Sequence, residues 1–129
     1  MSVDYFGQDT VGTLYNEEKT LENAILEEAR NLRACGDELS TAKADYDALK
    51  HQELLHLYVE ESNAPTLKRT EKMREAIYRT KFAAERLKWV MAERKYKTSL
   101  DYLDSLKSVL ISTQSRMKIF LLTQSLDGN

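Results

Sequence analysis

Proline and glycine are almost missing from this chain, with one Pro and four Gly in 129 residues. Tight turns draw heavily on those two residue types, so an all-β fold with many short connections is excluded. Cysteine occurs once, at Cys35, so no intrachain disulfide can form, as suits a reducing compartment. Histidine occurs twice, at His51 and His56, five positions apart and therefore not on one helix face. Glu53 and His56 have the Glu-x-x-His spacing of di-iron bundles. Those sites need a second such motif and two further carboxylates on other helices, and the chain offers no second motif. No Gly-rich phosphate loop and no Ser/His/Asp arrangement is found. The expectation is no enzyme, no metal site and no cofactor. No apolar run approaches the roughly 18 residues needed to cross a bilayer, and residues 1–13 show no secretory leader pattern. Together these predict a cytoplasmic protein without membrane contact.

What is abundant is Ala, Leu, Glu, Lys and Arg, the composition of long helices and coiled coils. Charge is sharply polarised along the chain. Residues 1–63 hold five Lys/Arg against fourteen Asp/Glu, a balance of −9. Residues 64–97 hold eleven against four, a balance of +7, and residues 98–129 hold three of each. Such polarity points to an anionic partner or to electrostatic packing of the chain on itself or on another subunit.

The periodicity predicts an all-α fold: two long helices in an antiparallel, coiled-coil-like hairpin that assembles into a homo-oligomer. Residues 1–13 read as a flexible arm whose Tyr5 and Phe6 are available to dock on a neighbour. Residues 14–129 form one helical domain, with a helix over about 14–61, a turn over 62–66 and a long helix over about 67–125. In the first helix Ile25, Leu32, Leu39 and Tyr46 occupy one seam position; Leu21, Cys35, Ala42 and Leu49 occupy the other, with Glu28 as the exception. Cys35 is therefore expected buried and inert, and Gly36 marks a candidate kink. Pro65 ends the first helix, and Thr66 is the predicted N-cap of the second. There, Met73, Ile77, Ala84, Leu87 and Met91 form one apolar stripe. Leu103, Leu106, Leu110, Met117 and Leu121 form another, out of step with the first around residues 94–100. Val109, Ile111, Phe120 and Leu122 widen the second stripe beyond one seam, which makes it the expected oligomerisation surface.

The basic stretch carries the functional expectation. Lys68, Arg69, Lys72, Arg74, Arg79, Lys81, Arg86 and Lys88 are the candidate nucleic-acid contacts, continued by Arg94, Lys95 and Lys97. Tyr78, Phe82, Trp89 and Tyr96 are interleaved among them. Cations contact phosphates and aromatic faces stack on unpaired bases, so this pattern suits single-stranded DNA. The same residues also suit a basic helix laid against an acidic one, with aromatics in the seam, where aromatics at helical spacing more often lie.

The order of parts resembles the UvsY family, the small recombination mediator proteins of T4-like phages. The residues concerned are Leu49-Lys50-His51-Gln52-Glu53 and Leu57-Tyr58 before the polar break at 61–66. After it come Leu100, Tyr102, Leu103 and Leu106, then Thr113-Gln114-Ser115-Arg116-Met117-Lys118, an apolar helix ending in Ser-Arg. The resemblance implies a phage protein that forms a homo-oligomer, binds single-stranded DNA nonspecifically and assists a recombinase. A recombinase or a single-strand-binding protein then becomes an expected partner. The family's basic contacts lie before the break, whereas the densest basic run here lies after it. The alternative function is a non-enzymatic helical adaptor, phage structural protein or inhibitor that binds another protein.

Overall fold

A computed structural model describes residues 11–127, and the expected arm residues 1–10, including Tyr5 and Phe6, lie outside the described residues. The described residues form three helices, α1 (Val11–Asn63), α2 (Glu71–Lys81) and α3 (Ala83–Asp127), with no strand among them. The chain divides into two units: α1 up to Leu32 with α3 from Thr98 onward, and Arg33–Lys97.

In the first unit α1 and α3 pack antiparallel, Glu17 meeting Thr113 and Glu28 meeting Ser99. Leu14 and Leu103 are buried, and Leu21, Ile25, Leu106, Leu110, Met117 and Phe120 are half-buried on the facing surfaces. Two polar layers interrupt this apolar seam. Ser99 donates to Glu28 Oε1 at 2.6 Å, and Asn31 donates to the same oxygen at 3.0 Å. Thr113, fully buried, donates to Glu17 Oε1 at 3.2 Å, and Arg116 reaches that oxygen at 2.8 Å. Buried polar groups need such partners, which accounts for a Glu at position 28 of an otherwise apolar seam.

In the second unit α1 again runs antiparallel to the returning chain, with Glu38 meeting Lys95, Glu53 meeting Lys81 and Glu61 meeting Arg74. Cys35, Ala42, Tyr46 and Leu57 are buried from the α1 side, Tyr78 and Ala92 from the other. Gly36 does not break the helix: α1 is continuous through it. A Cβ at that position would sit 3.5 Å from the Tyr96 ring, an ordinary contact. Gly36→Ala is thus expected to raise stability by about 0.5–1 kcal/mol, because Ala restricts the unfolded chain and suits a helix. A denaturant midpoint that falls would show that Tyr96 cannot accommodate the methyl group.

Helix boundaries differ from expectation. α1 begins at Val11, inside the expected arm, and ends at Asn63. The second helix starts four residues later than Thr66 suggests and is split in two. Leu67 N donates to Ala64 O at 2.8 Å, closing a turn that places Pro65 and Thr66 at its centre. Pro65 fits the first central position of such a turn, so Thr66 is used up in it and cannot cap. Thr70 caps instead, its Oγ1 accepting from Met73 N at 3.2 Å. At Phe82, with φ −112 and ψ 33, helical geometry lapses for one residue, while Phe82 N still donates to Tyr78 O.

The inward stripe also differs from the one expected. Met73, Leu87 and Met91 are exposed. Tyr78, Phe82, Trp89, Ala92 and Tyr96 face inward instead. Aromatic rings bury more apolar area than Leu or Met, so the aromatic stripe takes the seam. Along α3 one row of buried and half-buried positions runs through Glu85, Trp89, Ala92, Tyr96, Ser99, Leu103, Leu106, Leu110, Thr113, Met117 and Phe120, with Val90 and Glu93 half-buried beside it. The spacing of that row alternates four and three through residues 94–100, where the two expected stripes were out of step. No described helix is long and apolar enough to cross a membrane.

Candidate nucleic-acid interface

The turn sets the position of the first basic residues. Lys68 and Arg69 lie in the segment between α1 and α2, before the Thr70 cap, not on a helix. They therefore share no helix face with Lys72 and Arg79. Arg69 folds back on the end of α1, with Nη2 2.9 Å from Glu60 Oε1. Arg74 donates to both oxygens of Glu61, at 3.0 and 3.1 Å, and to Arg69 O. Its guanidinium lies 4.6 Å from the Tyr58 ring centroid. Arg69 and Arg74 are thereby only 15% and 19% exposed at the side chain. A two-oxygen clamp of this kind is the stronger form of Arg–carboxylate contact.

Further along, Lys81 meets the buried Glu53 at 2.8 Å. Arg79 pairs within its own helix with Glu75. Lys95 pairs with Glu38 at 3.0 Å, and Lys97 with Glu93 at 3.5 Å. Lys68, Lys72, Arg86 and Lys88 are exposed and have no ion-pair partner among the described residues. Of the eight candidate contacts, four are held by the protein's own carboxylates and four are open.

Two of the interleaved aromatic residues are engaged within the chain. Trp89 packs on Tyr46 with ring centroids 5.5 Å apart and a 32° tilt, and Lys43 lies 6.0 Å over the Trp89 ring. Tyr78 is buried beneath Lys50. Trp89 and Tyr78 are thus taken up by the chain's own side chains, whereas Tyr58 is 51% exposed beside Arg74. A cleft of about 400 Å³ is lined by Leu49, Glu53, His56, Lys81 and Phe82. Glu53 is taken by Lys81, while His56 contacts Glu60 at 3.3 Å, so the Glu-x-x-His pair is divided between separate partners. His51 Nδ1 is 2.6 Å from Asp47 O. No group of three or more His, Cys, Asp or Glu placed to hold a metal ion occurs among the described residues. The oligomerisation residues divide similarly. Leu103, Leu106, Leu110 and Met117 face the chain's own α1, and Leu121 is exposed. The sequence stripe mixed two faces of one helix.

The carboxylates at the turn are held below their ordinary range. Hydrogen bonds and charge from Arg69 lower Glu60, and the hydrogen bond from Arg74 lowers Glu61 against a desolvation effect of opposite sign. In the first unit, hydrogen bonds from Ser99 and Asn31 lower Glu28. A lowered folded value favours the ionised folded state, so this stabilisation is complete at neutral pH. It is lost as pH falls through and below the ordinary carboxylate value of 4.5. Melting temperature is expected to decline between about pH 6 and about pH 3, and Glu61→Gln to flatten that decline. Parallel profiles for the two proteins would show that the clamp contributes nothing.

These features define an all-α protein of long packed helices with a divided cationic surface. Comparison with known proteins finds no matching family model, no matching curated protein and no matching solved structure.

Proposed function

We propose that the chain is a non-enzymatic, cytoplasmic, homo-oligomeric protein that binds single-stranded DNA without sequence preference and assists a recombinase. The observation that carries this reading is the open set Lys68, Lys72, Arg86 and Lys88, unpaired where neighbouring cations are neutralised. Cations left open cost the fold little and remain available to phosphates, releasing counterions on contact. With the aromatics turned inward, the expected binding is electrostatic, weak for one chain and strengthened by avidity in an oligomer. The resemblance to phage recombination mediators supplies the accessory role. The test is binding to an unstructured oligonucleotide across a salt series. Affinity that is absent at low salt, or indifferent to salt, overturns the reading.

A second reading rests on a different observation. Leu87 and Met91 are exposed in a groove of about 490 Å³ flanked by Lys88, Lys95 and Glu38. An adaptor role would use that groove for an apolar, acid-flanked segment of another protein.

A further inference from the structure

The face of α3 turned away from α1 in the first unit has a symmetry that the seam does not. Leu100, Ile111 and Leu122 are exposed by 37%, 64% and 57% and follow one another at eleven-residue intervals. Eleven residues are close to three turns, so the three side chains line up along the helix. Asp104 lies seven residues before Ile111 and Lys118 seven after, both exposed and without an ion-pair partner among the described residues. Lys107 and Ser115, four residues to either side of Ile111, are also exposed, as is Ser108, and the serines are small enough to let a second helix approach.

From this arrangement, and resting on the proposed homo-oligomer, we infer that α3 pairs antiparallel with α3 of a second copy about a two-fold axis at Ile111. In an antiparallel pair with that centre, each residue meets the one equally far on the other side of position 111. Leu100 meets Leu122, Ile111 meets itself, and Asp104 meets Lys118 twice. A two-fold contact uses the same patch on both copies, which is what a self-complementary pattern supplies. A parallel pairing would set Asp104 against Asp104 and Lys118 against Lys118. Residues 98–129 carry three charges of each sign, so this surface has no net attraction for a strongly acidic or basic partner. The site differs from the stripe expected from sequence, because Leu103, Leu106, Leu110 and Met117 are occupied by the chain's own α1.

Sedimentation of the full chain tests the contact. Ile111→Asp is expected to weaken association by at least about tenfold, since it places two like charges on the axis. Asp104→Lys and Lys118→Asp should each weaken it by several-fold to about tenfold, and the double exchange should return within about threefold of the native protein. All three positions are exposed, so unchanged helical circular dichroism is expected of each variant. An oligomer unaffected by Ile111→Asp, or a double exchange no better than the single ones, overturns this surface and leaves the oligomer reading standing. A native chain monomeric at tens of micromolar overturns both.

Discussion

Replacing Lys68, Lys72, Arg86 and Lys88 together by Ala is expected to reduce affinity for an unstructured oligonucleotide by roughly a hundredfold or more at low salt. Each phosphate neutralised on a single strand contributes about 0.7 to the slope of log affinity against log salt, so four contacts account for about 2.8. The slope should flatten by that amount, equally for all base sequences. Arg69→Ala with Arg74→Ala is the informative contrast. Those two side chains are clamped on Glu60 and Glu61, so their loss should lower the melting temperature and leave the salt slope nearly unchanged. If instead the pair of Arg variants removes binding and the quadruple variant does not, the clamped cations are the ones that meet the ligand and must leave their carboxylates to do so. If neither variant changes binding, phosphate contact is not what the basic stretch is for, and the groove at Leu87 and Met91 becomes the surface to test.

The two long helices were legible because their determinants are local. Pro65 ends α1 within two residues of the expected place, since a proline restricts its neighbours whatever surrounds them. The α1 seam was legible because Ile25, Leu32, Leu39 and Tyr46 are apolar at regular spacing, and all four are buried or half-buried. The α3 seam was not legible. Ser99 and Thr113 are polar at seam positions, and their reason for being there is Glu28 and Glu17 on the facing helix. Periodicity along one helix cannot register a partner that lies 71 or 96 residues away in sequence. The same limit hid the division of the cations. Lys72 and Arg74 look alike in sequence, and only the position of Glu61 makes one open and the other clamped. Thr66 and Thr70 are equally good caps by residue type, and the turn hydrogen bond to Ala64 O decides between them.

Leu103→Ala is expected to destabilise the protein by about 2–5 kcal/mol, while Leu26→Ala changes it by less than about 0.5 kcal/mol. Leu103 is 5% exposed and Leu26 is 59% exposed, so one substitution opens a cavity and the other trims a surface side chain. Both residues lie mid-helix in the same unit, and Leu→Ala slightly favours a helix, so propensity does not separate them. The loss at Leu103 reads whether its face of α3 is one the chain keeps for itself. Urea unfolding should be followed at two protein concentrations. If Leu103 packs on α1 of its own chain, its loss should be the same at both, because no association step is involved. If the stripe through Leu103, Leu106 and Leu110 were instead covered by another subunit, the cost of Leu103→Ala would depend on concentration. The intrachain seam would then have to be reassigned. A concentration-independent loss from Leu103→Ala, beside a concentration-dependent one from Ile111→Asp, assigns the two faces of α3 to different tasks. One then builds the fold, and the other joins copies of it.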